Sequence, residues 1–259
     1  MKSNLLIDLW NRRSLIVLLA LNDVKLRYRN SILGFFWSFL EPLLMLTVLF
    51  FVFTNVIKND IENYSLYLLL GLIIWYMFSR ATTMGLTSLT DKSYIIQKIY
   101  LRKEILVISS CLTGFIMMIF ELGAFAVFLA AFQFIPPITI MLLPLILIEL
   151  FVLSVGISFL LSVLNVYFRD IRFIWQVIVQ AGFFLTPIIY TLDMFPETIR
   201  QILALNPVAH IIIATHDISL YGLLPATNSI LYIIGTTTAF FVIGYTVFRL
   251  KNARIVEEL

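Results

Sequence analysis

Six stretches of this chain are each apolar over enough residues to cross a lipid bilayer, and no other feature restricts its possible folds so strongly. They cover 33–57, 64–87, 105–134, 140–168, 173–190 and 229–248. A helix that traverses the hydrocarbon layer needs roughly 20 predominantly apolar residues. A seventh stretch, 199–214, is short and interrupted by Asn206, Pro207 and His210, so it does not cross alone. The pattern predicts an all-α integral membrane protein with six transmembrane helices in one domain over 1–259. Composition agrees. The chain is 61% hydrophobic and 13% charged, against roughly 45–50% and 25% for a soluble domain. A soluble globular enzyme is excluded, and so is a disordered chain.

Basic side chains orient the spans, because they accumulate on the cytoplasmic side. Lys2, Arg12, Arg13, Lys25, Arg27 and Arg29 precede the first span. Arg80, Lys92, Lys98, Arg102 and Lys103 are assigned to the loop between spans two and three. Arg169 and Arg172 fall between spans four and five, and Arg249, Lys251 and Arg254 in the C-terminal tail. Of the 18 lysines and arginines, only Lys58 and Arg200 fall on the other side. Both termini are therefore predicted to be cytoplasmic. The net charge of +3 reports orientation and headgroup contact rather than nucleic-acid binding. The single cysteine, Cys111, has no partner for an internal disulfide.

The N-terminal segment, 1–31, offers a false lead. Asn11-Arg12-Arg13-Ser14 before an apolar run resembles a twin-arginine export signal. The run is short, leads into Asn22, Asp23, Lys25, Arg27 and Arg29, and meets no small-residue cleavage site, so a signal is rejected. On a helix, Val17, Leu21, Val24 and Tyr28 share one side while Asn22, Asp23, Arg27 and Asn30 crowd another. That is the pattern of a helix lying in the headgroup layer. It acts as an anchor or as part of a substrate entrance; the residues alone leave both open.

Four stretches break the spanning pattern. The loop 89–105 is polar at both ends and carries Tyr94, Ile95, Ile96, Ile99 and Tyr100 between them. A short amphipathic helix there needs a cover, either the membrane surface or a groove on a soluble partner. In 165–171, Arg169 and Asp170 are adjacent and so point apart on a helix. Each is expected to cap a helix end or to pair with a neighbouring segment. In 186–190, Pro187 breaks the helix, and the freed backbone groups must find protein or a wet cavity. Residues 196–220 read as two short re-entrant helices broken at Asn206-Pro207, which either line a path or pack on protein. His210, His216 and Asp217 lack metal-pair spacing, so no metal site is expected.

No G-x-x-x-x-G-K-[ST] phosphate loop occurs. If ATP drives this protein, another chain hydrolyses it, and no catalytic constellation is found. Glu41, Glu121 and Glu149 lie within spans, where carboxylates are functional candidates by default. Glu41 is close to the inner boundary. Glu121 and Glu149 are deeper, and either carry protons in a coupled transporter or pair across helices. Trp37, Trp75 and Trp175 fall near predicted boundaries. They read as an interfacial belt or, with other rings, as a path on which sugar faces stack.

Five segments carry a family resemblance: NDVKLRYRNSILGFFWSFLEPLL at 22–44, IIQKIYLRKEIL at 95–106, LNVYFRDIRFI at 164–174, TPIIYTLDMFPE at 186–197 and LNPVAHII at 205–212. In this order they resemble the permeases of ABC-2 type polysaccharide exporters, which carry O-antigen, capsule or teichoic acid. The resemblance covers nearly the whole chain, and its wording leans to the O-antigen branch.

The resemblance implies roles. The N-terminal helix becomes an interfacial gate, with Lys25, Arg27, Tyr28 and Arg29 at a substrate entrance. The loop becomes a coupling helix that docks on an ATPase through Tyr94, Ile95, Ile96, Lys98, Ile99, Tyr100, Arg102 and Lys103. Trp37, Trp75, Phe183, Phe184, Pro187, Tyr190, Asn206 and Pro207 fall along the path or its exit, and Arg169 and Asp170 hold the inner end. Two permeases and two ATPases would form the working unit in the bacterial inner membrane. The polymer would travel on undecaprenyl diphosphate, with ATP and magnesium on the ATPase and no cofactor on this chain. Many relatives have Phe-Pro where this chain has Leu101-Arg102, so the coupling helix is expected to end less sharply. The competing reading is a proton-coupled carrier using Glu121 and Glu149.

Overall fold

The computed structural model describes residues 10–29, 31–53, 61–98 and 101–252. Among them every regular element is helical. The order is α1 (Arg13–Arg27), α2 (Trp37–Val52), α3 (Tyr64–Asp91), α4 (Ser93–Lys98), α5 (Lys103–Ala131), α6 (Leu143–Tyr167), α7 (Ile171–Phe184), α8 (Glu197–Leu203), α9 (Pro207–His216) and α10 (Thr227–Lys251).

Five helical stretches are long and apolar enough to cross a membrane: Gly34–Val52, α3, α5, Ile138–Tyr167 and α10. The predicted span 173–190 runs the length of α3, from Thr82 beside Trp175 to Tyr67 beside Tyr190, but only its first part is helical. Its helix, α7, has 14 residues, about 21 Å, which is short of the roughly 30 Å hydrocarbon layer. Pro187 lacks an N–H and disfavours helical backbone at Thr186, so the helix stops at Phe184. The two short helices read from 196–220 are present: α8 and the segment Pro207–Tyr221 meet at a bend of 101°.

Helix α3 lies at the centre, against α2, α5, α6, α7 and α9. Within its apolar window 83% of residues are buried, so it reads as apolar on every side. Its 28 residues extend about 42 Å. Arg80 therefore lies inside α3 and is buried, not in the loop to which its charge was assigned. Helix α10 packs on α6 where Gly156 and Gly244 meet. A Cβ on Gly244 would collide with the carbonyl oxygen of Gly156, so the two backbones touch with no side chain between them. Two buried hydroxyls close onto their own helices. Ser154 Oγ donates to the Leu150 carbonyl at 2.8 Å and Thr215 Oγ1 to that of Ile211 at 2.7 Å, which removes the cost of a polar group in an apolar layer.

Helix α1 rests on α5 through Ile16, Ala20 and Val24, a four-residue repeat along one face. Val17 and Leu21, expected on the same side as Val24, are exposed. The small Ala20 sets this offset by letting the backbones approach, and Thr113 Oγ1 of α5 lies 3.4 Å from the Ala20 carbonyl.

Candidate functional site

At the C-terminal end of α3, Lys92 turns the chain into α4. Tyr94 there is 61% exposed and Lys98 is also exposed, while Ile96 is half-buried and packs against the core. Ile99 and Tyr100 lie outside the described residues, as does the side chain of Ile95. Arg102 adopts φ −64° and ψ 122°, a conformation open to proline. The extended backbone at Arg102 sets the start of α5 without a proline. Lys103, expected on the docking surface, is buried, and its Nζ donates to the backbone carbonyl of Asn252. It staples α5 to the end of α10, because the first turn of α5 is enclosed.

Lys92 joins three elements. Its Nζ donates to Asp23 Oδ2 of α1 at 2.6 Å and to Ser110 Oγ of α5 at 3.2 Å. The sequence shows both charges but not their pairing, since 69 residues separate them.

Beside α1, a groove of about 580 Å³ runs along α2. Arg27, Tyr28, Trp37, Glu41 and Tyr76 supply its polar part, and Leu44, Met45 and Val48 its apolar part. Arg27 and Tyr28 of the expected gate thus meet Trp37 of the expected path. The Tyr28 ring packs edge-on against Phe35, centroids 5.5 Å apart. Burial pushes its phenol above the ordinary value, so at neutral pH it is an uncharged donor. Lys25 faces a separate hollow with Arg13, and Arg29 is exposed. Behind the groove, Arg80 of α3 pairs with Glu121 of α5, both buried. Arg80 Nε also donates to the Tyr76 carbonyl at 3.2 Å, which anchors the groove wall. Of the two readings of Glu121, the structure contains the cross-helix pair. Glu149 is half-buried on α6.

At the N-terminal end of α3, protein satisfies the backbone freed by Pro187. Tyr67 Oη donates to the carbonyls of Pro187 and Tyr190 at 3.1 and 2.9 Å. Tyr64 Oη donates to that of Ile189 at 3.1 Å. His216 stacks on Tyr67, centroids 3.8 Å apart, and donates from Nε2 to its carbonyl at 3.0 Å. Asn206 caps α9 by accepting from the Val208 N–H at 3.0 Å and donates to Thr186 Oγ1 at 2.9 Å. Pro207 takes the first helical position, where its missing N–H costs nothing.

The rings divide between interior and surface. Trp75 is 4% exposed, so it is an internal ring rather than part of a boundary belt. It meets the buried Phe183 edge-on at 6.3 Å and fills the space above Gly182. Trp175 is half-buried and donates to Thr82 Oγ1 at 3.2 Å. Phe184 is exposed, and Tyr190 Oη donates to its carbonyl at 2.9 Å. Asp170 stands at the N-cap of α7 without making a cap bond. Neither it nor Arg169 makes a side-chain ion pair or hydrogen bond among the described residues, so the expected capping and pairing are not seen. Among the described residues no three His, Cys, Asp or Glu side chains are grouped to hold a metal ion.

Apolar spans around a central helix, with an amphipathic groove beside them, define a multi-pass membrane protein. The model of the ABC-2 type transporter family matches residues 14–220, and the chain belongs to that family. It is 31% identical over 247 residues to the O-antigen export system permease protein RfbA of Klebsiella pneumoniae, covering 95% of each chain. To the protein of the same name from Myxococcus xanthus it is 26% identical, covering 97% of this chain and 98% of the other. To the polysialic acid transport protein KpsM of Escherichia coli it is 21% identical, covering 93% and 94%.

Proposed function

We propose that this chain is the membrane-spanning subunit of an ATP-driven exporter that moves polysaccharide, in the first instance O-antigen, outward across the bacterial inner membrane. The polymer rides on undecaprenyl diphosphate. Two copies of this chain work with two copies of a cytoplasmic ATPase, which holds ATP and magnesium. The termini are cytoplasmic, and α8 and α9 lie near the outer exit.

The observation that carries this reading is the graded polarity of the groove along α2. Arg27 and Tyr28 offer donors to a diphosphate, Trp37 offers a ring to a sugar face, and Leu44, Met45 and Val48 continue as a wall for a polyprenyl chain. Tyr94 stands out from α4, where an aromatic anchor can enter a groove on the ATPase. The Lys92 bridge joins that helix to α1, so movement at the docking site reaches the groove. The likeness to a polysialic acid transporter makes capsule polymer the second substrate class; teichoic acid is a third.

The test is co-purification with the cognate ATPase together with export in cells that lack their own O-antigen permease. Tyr94→Asp is expected to lower ATPase affinity by about thirtyfold or more, the order of a hot-spot loss, and to stop export, while Tyr94→Phe does neither. Arg27→Gln is expected to leave the complex assembled and lower export. Normal recovery with Tyr94→Asp rules out docking at α4, and restored capsule rather than O-antigen export reassigns the substrate.

A further inference from the structure

The residues Arg169 and Arg172 have no role in the groove, the docking helix or the packing described above. They line a polar cavity of about 390 Å³ where the C-terminal ends of α3 and α6 meet the start of α7. Thr87, Thr90, Asn165 and Asp91 share the lining, with Phe173 beside them. Both arginines are exposed. Among the described residues neither guanidinium makes an ion pair or hydrogen bond. Asp91 opposes them, and Asp170 is next in sequence to Arg169, so the two positive charges inside the cavity face one negative charge of the lining. Thr90 Oγ1 donates to the Thr87 carbonyl at 3.0 Å and accepts from Asn165 Nδ2 at 3.4 Å. That leaves one amide proton of Asn165 for a ligand.

Two guanidinium groups and an amide donor around a hollow of this size fit the oxygens of a phosphate, which arginine holds through several charge-assisted hydrogen bonds. A water occupies about 30 Å³ in the liquid, so the cavity has room for a whole headgroup. The N-terminal end of α7 adds partial positive charge at the same place. From Phe173 onward α7 shows an apolar flank: Ile174, Val177 and Ile178 are all more than half exposed. A phosphate seated on the arginines would therefore have an apolar track beside it. A soluble anion makes no use of such a track, whereas an acyl chain does. Basic pockets between membrane helices on the cytoplasmic side suit anionic headgroups for these reasons.

We propose that this cavity binds the phosphate headgroup of an anionic membrane lipid, with Arg169 and Arg172 on the phosphate and the exposed flank of α7 along the acyl chain. The inference takes its membrane side from the orientation proposed above, but it concerns a different cavity and is read by binding rather than transport.

The full-length protein, purified with its ATPase, is titrated with phosphatidylglycerol and, separately, with phosphatidylcholine of the same chains. Bound lipid is counted by native mass spectrometry, with inorganic phosphate as a soluble competitor. Phosphatidylglycerol is expected to bind more tightly. Arg169→Gln and Arg172→Gln are each expected to weaken it about fivefold, and the double variant about 25-fold, from the usual contribution of a basic residue near an anionic headgroup. Both side chains are exposed, so neither change opens a buried gap, and Arg169→Lys with Arg172→Lys is expected to retain most of the binding. Equal binding by the double glutamine variant overturns the site. An equal loss with Arg249→Gln, at the far end of α10, overturns it in favour of general surface charge. Full displacement by millimolar phosphate overturns the lipid assignment in favour of a free anion.

Discussion

Lys92 Nζ lies 2.6 Å from Asp23 Oδ2, and the two side chains are only 13% and 15% exposed. The bridge fixes α1 to the start of the short helix α4. Asp23→Asn or Lys92→Met is expected to lower stability by about 1.5–3 kcal/mol, the usual worth of a hydrogen bond to a charged group. Thermal unfolding of the purified protein measures this. Export is expected to fall while ATPase recovery holds. The exchange Asp23→Lys with Lys92→Asp should restore part of both. No recovery in the exchanged pair argues against a direct charge link.

The Arg80–Glu121 pair sits deeper. Removing one partner leaves an uncompensated charge in the interior, which typically costs about 3–5 kcal/mol. Arg80→Gln is therefore expected to reduce folded protein severely, as read by detergent size exclusion. Glu121→Gln is expected to be no milder, since the arginine cannot shed its proton and the amide supplies no charge to balance it. The carrier reading makes a different forecast for Glu121→Gln: full stability with abolished transport.

The contact of Gly156 with Gly244 leaves no room for a methyl group. Gly244→Ala is expected to destabilise by about 1–3 kcal/mol, the usual cost of overpacking, visible as aggregation on heating. Gly235, on the same helix, has open space within 4 Å of where a Cβ would stand. Gly235→Ala should be neutral or mildly stabilising, because alanine favours the helix.

Tyr67 donates to two carbonyls of the broken segment. Tyr67→Phe keeps the ring and removes the hydroxyl. It is expected to cost about 1–3 kcal/mol through buried carbonyls left unsatisfied, and to raise protease cleavage between residues 185 and 196.

Much of this fold is written in hydropathy. The long helices, the break at Pro187 and the bend at Asn206-Pro207 all follow from apolar length and from proline chemistry. The misplacements have local causes. Arg80 carries a charge, and charge marks loops until a distant Glu121 neutralises it. Val17 and Leu21 fit an apolar stripe, yet Ala20 decides the buried face because it is small, a property no hydrophobic pattern records. Trp75 looks like a boundary ring, but the space above Gly182 draws it inward. In the candidate site, Arg27, Tyr28 and Trp37 are each visible as candidates, whereas their common groove is not. Pairings such as Lys92 with Asp23 depend on how α1 lies across α5, which neither segment specifies alone.

The partner of Lys103 at the close of α10 is a main-chain oxygen. Every amino acid supplies that atom, so the bond itself survives any replacement at position 252. Shortening the protein ahead of it, by contrast, removes the acceptor and leaves an ammonium group enclosed with nothing to satisfy it. The close of α10 therefore contributes through its main chain, and a bond that outlives replacement there is no licence to trim.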